Sequence, residues 1–326
     1  MKLNLSKKSW YLLIAAFLLI VFMVGVSIAV SQNKKYLHEL AQYEILINYD
    51  PFQALNLEAG SAYVLDTKDN LALYSKESKD SLPLASITKF MTVLTAAEAL
   101  SSDFPIEITP EQLWTEGESG LYPFERWRFE DLASFTLMVS SNDGAHAISS
   151  AANNFFETTE GLSFVEKMNK KAGSLSMKDT KFYNSTGLDR SQTLAGSYST
   201  AQDVSKMLDY IVRVHPNLVQ ATQSSEMSFQ SLSGFTHFAQ NTNPVVSEIP
   251  GIRASKTGFT DLAGGNLVIA AEVDNGRVII ITVLGSTKNG RFSDALTLYR
   301  ASQKYYKYRA DLASLEEDIQ EILSEI

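Results

Sequence analysis

The sequence predicts an α+β domain that follows an N-terminal membrane helix. Three observations predict it: an uncharged apolar run near the N-terminus, strand-like segments near both ends of the remaining chain, and mainly helical patterns between those strands. Strands at both ends with helices between them indicate a sheet that joins the two chain ends. The chain has 326 residues, 45% of them hydrophobic, which is enough to form a substantial core.

The apolar run extends from Trp10 to Val30 and reads WYLLIAAFLLIVFMVGVSIAV. It is long enough to cross the hydrocarbon layer of a membrane as a helix. Lysines on its N-terminal side, with Trp10 and Tyr11 suited to the interface, favour a cytoplasmic N-terminus and export of the remaining chain. Lys34 and Lys35 beyond the run weaken that preference.

A cleaved signal peptide is the alternative for this run. The run is longer than the usual apolar region of such a peptide, and SIA before Val30 is a poor small-residue cleavage site, so an uncleaved anchor is favoured. The polar and then mixed segment that follows indicates a tether. The predicted division is an N-terminus at 1–8, a transmembrane anchor at 9–31, a linker at 32–50, a main domain at 51–300 and an acidic C-terminal helix at 301–326.

Composition excludes several classes of function. The chain has no cysteine, so disulfides, thiolate catalysis and cysteine metal sites are not available to it. Its net charge of -9 and pI near 5.1 argue against a nucleic-acid groove, which needs clustered Lys and Arg. The histidines at 38, 146, 215 and 237 lack metal-ligand spacing, so neither a metal nor another cofactor is expected.

Two hairpins supply the predicted sheet. AYVLD, a turn at TKDN and LALYS form the first, starting at Ala62. NLVIAAEV, DNGR and VIIITVLG form the second, where Asn275-Gly276 suits the positive φ angles of a tight turn. The helical patterns between the hairpins cover residues 85–100, 130–152, 162–172 and 200–213.

The tail from Ser293 to Ile326 contains neither Pro nor Gly and is predicted to be helical. Its apolar residues recur at spacings of three and four, which places a narrow apolar seam on one face. We expect this helix to pack on its own domain, with self-association as the alternative. Its many acidic residues argue against docking on an anionic bilayer. The seam consists of Leu312, Leu315, Ile319, Ile322 and Ile326.

Ser86 and Lys89 form an SxxK pair at the start of a predicted helix, within LPLASITKFMT. Their spacing places them on adjacent turns, where the positive end of the helix favours the alkoxide and oxyanion of a serine attack. A lysine desolvated there can lose its proton and serve as a base. Taken alone, the pair favours a structural interpretation, with Ser86 as a helix N-cap and Lys89 as a solvated side chain. Ser31 and Lys34 show the same spacing in a different context.

Two further motifs change that balance. LMVSSNDGAHA places Ser140 and Asn142 at the end of an apolar helix, where a turn would direct a hydroxyl and an amide into a cleft. SKTGFTDLAGGN places Lys256, Thr257 and Gly258 before the second hairpin. The glycine permits close approach of a substrate backbone, and the lysine and threonine offer a cation and a hydroxyl to a carboxylate.

SxxK, SxN and KTG in this order resemble the penicillin-binding proteins and serine β-lactamases. The surrounding text is most similar to the D-alanyl-D-alanine carboxypeptidases of the low-molecular-mass penicillin-binding proteins. PLASITKFMT, SSNDGA, FYNSTGLD, YSTAQDVSKML, KTGFTDLAGG and VLGSTKNGR carry this resemblance over about residues 55 to 300. It implies a β-lactamase/transpeptidase-like domain and a bacterial cell-membrane protein whose catalytic domain is extracytoplasmic.

The resemblance also implies residue roles. Ser86 is the nucleophile that attacks the carbonyl between two D-alanines of a peptidoglycan stem peptide, and penicillin and other β-lactams acylate the same serine. Lys89 takes the serine proton, although the base is disputed in these enzymes. Ser140 relays a proton to the leaving amine and Asn142 holds the substrate amide.

The third motif and its surroundings are implied to bind the rest of the substrate. Lys256 and Thr257 bind the terminal carboxylate, and Gly258 lets the substrate backbone approach closely. Arg291 lies where this branch carries an arginine that helps to bind the carboxylate. The oxyanion hole is formed by the backbone N–H groups of Ser86 and Phe259. The alternative for Arg291 is an ordinary surface arginine beyond a strand.

This chain departs from the pattern in two places. RAS at Arg253 to Ser255 replaces the usual glycine and acidic residue before KTG, which alters the charge near the cleft. An acidic helix replaces the β-rich second domain of many relatives.

Two other functions stay open from the sequence. One is a serine β-lactamase, although YNSTGLDRSQT has no glutamate and Glu166 lies in a helical pattern. The other is a catalytically silent peptidoglycan-binding module. The sequence leaves the oligomeric state and the balance of hydrolysis and transpeptidation undetermined.

Overall fold

The structure is a computed structural model that describes residues 7–117, 119–274 and 276–325. Contacts divide the chain into two units, one running from Phe52 to Gln303 and one that combines the residues up to Pro51 with those from Lys304 onward. The helices are α1 Lys7–Ile47, α2 Thr88–Ala96, α3 Phe129–Val139, α4 Asn142–Glu160, α5 Phe164–Ser174, α6 Ala201–Val214 and α7 Gly290–Glu325. The strands are β1 Ser61–Asp66, β2 Leu71–Lys76, β3 Leu82–Pro83, β4 Pro105–Glu107, β5 Arg126–Arg128, β6 Lys181–Phe182, β7 Ser197–Ser199, β8 Glu226–Gln230, β9 Thr236–Gln240, β10 Ile252–Thr260, β11 Gly264–Asp274 and β12 Arg277–Ser286.

A five-stranded antiparallel sheet in the order β10-β11-β12-β1-β2 forms the centre of the Phe52–Gln303 unit. The two predicted hairpins meet in it, because β1 pairs along its length with β12. The prediction of an α+β domain whose sheet joins the two chain ends is therefore confirmed. Gly276 has the positive φ of +78° expected of the turn, and Asn275 lies outside the described residues.

Helix α2 is buried on all sides, so that each of its residues belongs to the interior. Its apolar residues Phe90, Met91 and Leu94 join a core shared with α3, α6 and the sheet. Such a helix has no solvent face, and any charged residue on it must lie in the protein interior. Lys89 is that residue.

Two helical predictions needed correction. The pattern over 130–152 is two helices, because Ser140 ends α3 in the left-handed conformation with φ of +64° and Ser141 caps α4. The pattern over 85–100 begins with a 3-10 turn, Ala85–Ile87, before α2 starts. Both breaks lie at the predicted site residues, where local backbone geometry overrides the helical period.

In the other unit, α1 and the distal part of α7 pack as an antiparallel pair. Tyr49 contacts Tyr308 with ring centroids 4.3 Å apart, and the Tyr43 hydroxyl donates to Glu316 Oε1 at 3.1 Å. Less exposed residues recur at spacings of three and four on both helices, as in a coiled coil. They include Gln32, Tyr36, Glu39, Tyr43 and Leu46 on α1, and Tyr305, Tyr308, Leu312, Leu315, Ile319 and Ile322 on α7.

Two sequence expectations are settled by this pair. The segment expected to be a tether is helical as far as Ile47, as part of α1. The tail is helical as predicted, with Ile326 outside the described residues, and from Lys304 onward it belongs to the same unit as α1. The apolar seam suits the pairing with α1, because its repeat matches the stripe on that helix.

Helix α1 contains one stretch that is long and apolar enough to cross a membrane, and none of that stretch is buried in the protein. Helix α1 is therefore consistent with a membrane anchor, and signal sequences share this length and composition.

Candidate active site

Ser86 lies in the 3-10 turn just before α2. It caps neither the turn nor the helix, since the capping positions are Leu84 and Ile87 and neither side chain makes a capping bond. The N-cap interpretation of Ser86 is therefore wrong. The preceding residue, Ala85, has a positive φ of +50°, which is a strained conformation for a residue with a β-carbon.

Lys89 is the second residue of α2, one turn beyond Ser86, and is completely buried. Its Nζ donates to Ser86 Oγ at 2.7 Å, to Asn142 Oδ1 at 2.6 Å and to the Thr186 carbonyl at 2.8 Å. Burial lowers the pKa of Lys89 to about 7, because a charged ammonium is poorly solvated in the interior. At neutral pH a substantial fraction of this amine is free to accept a proton from the Ser86 hydroxyl.

The second motif occupies the break between α3 and α4. The left-handed conformation of Ser140 turns the chain sharply, and the Ser141 hydroxyl accepts from the Gly144 N–H to start α4. Asn142 is then the first residue of α4, and its Nδ2 donates to the Glu116 carbonyl at 2.5 Å. Both amide atoms of Asn142 are thus held, one by the neighbouring loop and one by Lys89.

The third motif lies in β10, the edge strand of the sheet. Lys256 is buried, and its Nζ donates to Ser140 Oγ at 2.8 Å. The Thr257 hydroxyl donates to Thr242 Oγ1 at 2.6 Å. A β-carbon on Gly258 would lie 2.7 Å from the Leu84 carbonyl oxygen and 3.2 Å from the Ser86 nitrogen, so only glycine allows β10 this close to the nucleophile turn.

Arg291 and Phe259 flank the third motif. Arg291 is 7% exposed, and its guanidinium donates to the Gly258 carbonyl at 2.6 Å, so it is not the surface arginine of the alternative interpretation. Phe259 is 44% exposed and follows Gly258 directly, which brings its peptide group next to the Ser86 turn.

Three basic side chains, Lys89, Lys256 and Arg291, lie close together in the site. Burial lowers the pKa of Lys256 well below its usual value, and the charges of Lys89 and Arg291 lower it further. Burial also lowers the pKa of Arg291. Since like charges raise the cost of protonation, a carboxylate bound here would relieve the repulsion and favour the charged lysine. A pocket of about 370 Å³ opens beside these groups, lined by Ser140, Asn142 and Gln240 among others.

The sequence analysis missed several partners of these residues. The Thr186 and Glu116 carbonyls are backbone groups, which residue types do not reveal. Thr242 belongs to no recognisable motif, and only the fold brings its hydroxyl into contact with Thr257. Thr186 lies within FYNSTGLD, so the resemblance of that segment was the only available indication.

Two residues that raised questions in the sequence have structural roles. Glu166 forms a capping box with Ser163 at the start of α5, which accounts for it without catalysis. Arg253 pairs with Glu272, so its charge is compensated on the surface of the sheet.

Comparison with known proteins identifies the class. A family model described as D-alanyl-D-alanine carboxypeptidase, peptidase S11, matches residues 49–287. The chain belongs to the D-alanyl-D-alanine carboxypeptidase family. The resemblance drawn from the motifs is confirmed.

Curated relatives of this family carry two activity names. The chain is 31% identical to D-alanyl-D-alanine carboxypeptidase DacF of Bacillus subtilis over 72% of its own length and 59% of the relative. It is 30% identical to a D-alanyl-D-alanine endopeptidase of Escherichia coli over 74% of its length and 76% of the relative. The match therefore spans well under two thirds of the Bacillus carboxypeptidase and about three quarters of the endopeptidase.

A solved structure shows the same fold. Penicillin-binding protein D2 of Listeria monocytogenes in its ampicillin-bound form has a TM-score of 0.62 and 27% identity to this chain. The superposition covers 76% of this carboxypeptidase-family chain and 98% of the Listeria chain. The predicted penicillin-binding fold is confirmed.

Proposed function

We propose that this protein is a serine D-alanyl-D-alanine carboxypeptidase that removes the terminal D-alanine from peptidoglycan stem peptides, with Ser86 as nucleophile. One observation carries the proposal: the buried Lys89 amine contacts Ser86 Oγ at 2.7 Å and has a pKa lowered to about 7. A serine hydroxyl needs such a base, because its own pKa leaves it protonated at neutral pH.

Acylation begins when neutral Lys89 accepts the Ser86 proton and Oγ bonds to the carbonyl carbon between the two D-alanines. Negative charge develops on the carbonyl oxygen, where the backbone N–H groups of Ser86 and Phe259 stabilise it. The close approach of β10 at Gly258 supports this assignment, since it brings the two peptide groups together.

Departure of D-alanine requires a proton on its nitrogen. Ser140 supplies it, and the charged form of Lys256, whose Nζ donates to Ser140 Oγ at 2.8 Å, returns a proton to Ser140. The terminal carboxylate binds among Lys256, Thr257 and Arg291, whose charges compensate it. Arg291 acts mainly by positioning, because it holds the Gly258 carbonyl. Asn142 holds the substrate amide, and water then hydrolyses the acyl-serine.

The first experiment measures the intact mass of the protein after incubation with benzylpenicillin. We expect one covalent adduct on the wild type and none on Ser86→Ala. Ser31→Ala is the matched control, because Ser31 has the same spacing to a lysine but lies on the exposed surface of α1. An adduct on Ser86→Ala, or its loss from Ser31→Ala, would refute the nucleophile assignment.

The second experiment measures D-alanine release from a pentapeptide. Release by the wild type but not by Ser86→Ala supports a carboxypeptidase and excludes the silent binding module.

Rapid steady hydrolysis of a chromogenic β-lactam, instead of a stoichiometric burst, would favour the β-lactamase alternative. The endopeptidase name of one relative favours a second candidate activity, cleavage of D-alanyl cross-links, which the same assay tests on a cross-linked dimer.

We also propose a single-pass bacterial membrane protein with its catalytic unit on the extracytoplasmic side. The apolar length of α1 and the peptidoglycan substrate support this topology. Because the chain has no cysteine, Ser174→Cys would introduce a unique thiol on an exposed helix end. A membrane-impermeant maleimide should label it in intact cells, and labelling only after lysis would contradict the proposed topology.

A further inference from the structure

A polar groove of about 490 Å³ lies beside the active site, between α4, the start of α5 and the segment 183–185. It begins one helical turn beyond Asn142, at His146, and continues past Ser150 to Asn153 and Asn154 on the same face of α4. Its opposite wall is continuous with the catalytic machinery, because Thr186, which follows this wall, accepts the bond from Lys89.

The groove differs from the active site in charge. The catalytic site contains Lys89, Lys256 and Arg291, whereas no acidic, lysine or arginine residue lines the described part of the groove. Its wall consists of hydroxyl and amide side chains with His146, and Tyr183 and Phe164 add aromatic surface. Neutral donors and acceptors beside an aromatic ring suit an uncharged ligand with many hydroxyl and amide groups.

Several of these polar groups have hydrogen-bonding capacity to spare. In the described part of the chain, the side chains of Ser150 and Asn154 and the Tyr183 hydroxyl make no hydrogen bond to the protein. Asn153 Oδ1 accepts a hydrogen bond from the Phe164 N–H. This bond does not use the two N–H donors on Asn153 Nδ2. A groove wall with this much unused capacity is equipped to hold a ligand through several hydrogen bonds.

The position of the groove matches the substrate of the proposed function. Along α4, His146 and Asn153 lie about 6 and about 17 Å beyond Asn142, at a rise of 1.5 Å per residue. A pentapeptide stem has four residues between its scissile bond and the sugar that carries it, which span at most about 13 to 14 Å. At full extension the stem therefore carries the sugar past His146, and the sugar itself has to cover only the remaining distance of about 3 Å to Asn153.

We propose that this groove binds the neutral N-acetylated sugar to which the stem peptide is attached. The inference rests on the proposed function, because it takes the stem peptide as the substrate of Ser86. It makes the enzyme selective for peptides that are still carried on glycan over free peptides. The side chains that distinguish the glycan-bound peptide from the free peptide, by binding the sugar, are those of Ser150, Asn154 and Tyr183.

The test compares kcat/KM for D-alanine release from a disaccharide-pentapeptide and from the same pentapeptide without sugar. We expect the wild type to prefer the sugar-bearing substrate by about tenfold or more, as for two net hydrogen bonds. The double variant Ser150→Ala/Asn154→Ala should lose most of this preference through a higher KM. Alanine favours the α4 helix, so the double variant should fold.

Ser174→Ala is the matched control, because Ser174 is exposed on α5 and its hydroxyl bonds only within its own helix. It should retain the wild-type preference, and benzylpenicillin acylation should be equal in all three proteins. No preference in the wild type, or equal loss on both substrates in the double variant, would overturn the inference.

Failure of the proposed function gives a separate result. If neither substrate releases D-alanine, the activity assignment fails, and calorimetric titration with the disaccharide-pentapeptide still tests the groove. Binding that is weaker in the double variant than in Ser174→Ala supports the inference, and equal binding refutes it.

Discussion

A lysine without solvent contact is the central chemical feature at the residue scale. Lys89 has three oxygen acceptors around Nζ, and none of these is a carboxylate. Neutral acceptors orient the amine without stabilising its charge as an anion would, so burial determines the direction of its pKa shift. The same burial suits Lys89 to the role of base that we propose for it.

The pH dependence of acylation follows from this shift. Because neutral Lys89 is the reactive form and its pKa is about 7, the acylation rate constant should fall about tenfold per pH unit below 7 and level off above about 8. This rate constant is measured with a fluorescent penicillin added in excess at pH values between 5 and 9. The arginine of Lys89→Arg stays protonated over this pH range and cannot act as a base. Its acylation rate constant should therefore be at least about 10²-fold below that of the wild type at every pH. A flat wild-type profile would contradict the role of Lys89.

At the scale of elements, the active site depends on how closely β10 approaches the turn before α2. Gly258 contacts this turn, and Arg291 holds the Gly258 carbonyl from the other side. Gly187 approaches the same turn, since a β-carbon there would lie 1.9 Å from the Ala85 carbonyl oxygen. Two glycines therefore let separate elements converge on the nucleophile.

Gly258→Ala should weaken both the fold and the activity. The added β-carbon, 2.7 Å from the Leu84 oxygen, forces β10 or the turn to move, which should cost about 1 to 3 kcal/mol of unfolding free energy and at least tenfold in acylation rate. Gly173→Ala is the control, since a β-carbon there meets no atom within 4 Å among the described residues. It should be neutral or raise stability by up to about 1 kcal/mol. For both variants, urea unfolding measures the free energy of unfolding and penicillin measures the acylation rate. A wild-type acylation rate in Gly258→Ala would contradict the close approach of β10 to the turn before α2.

At the scale of the whole molecule, the sheet brings distant segments together. β1 pairs with β12, and β10 joins them through β11, so the N-terminal SxxK turn and the C-terminal KTG strand belong to one sheet-and-helix unit. The proposed catalytic groups, from Ser86 to Arg291, all lie in the unit between Phe52 and Gln303. The described residues of the other unit include none of these proposed groups.

Disrupting the helix pair should therefore leave catalysis intact. Ile319 is buried in the seam of α7, so Ile319→Asp places a charge in an apolar interface and should separate α7 from α1. Trypsin cleavage after Arg309 should then accelerate at least tenfold, because proteolysis requires local opening. Gln320→Asp adds the same charge at an exposed position and should be cleaved like the wild type. Equal cleavage of both variants would contradict the pairing, and acylation should be unchanged in both.

The sequence by itself determined the fold class, both hairpins, the apolar helix and the residue types of the three motifs. These follow from local periodicity and from short motifs, which a linear chain displays directly. Only the tertiary structure decided that Lys89 is buried beside the Thr186 carbonyl, that Arg291 holds Gly258 and that the seam at Leu315 and Ile319 faces α1. Burial, a pKa shift and the choice of packing partner depend on segments far apart in the chain, and no local pattern encodes them.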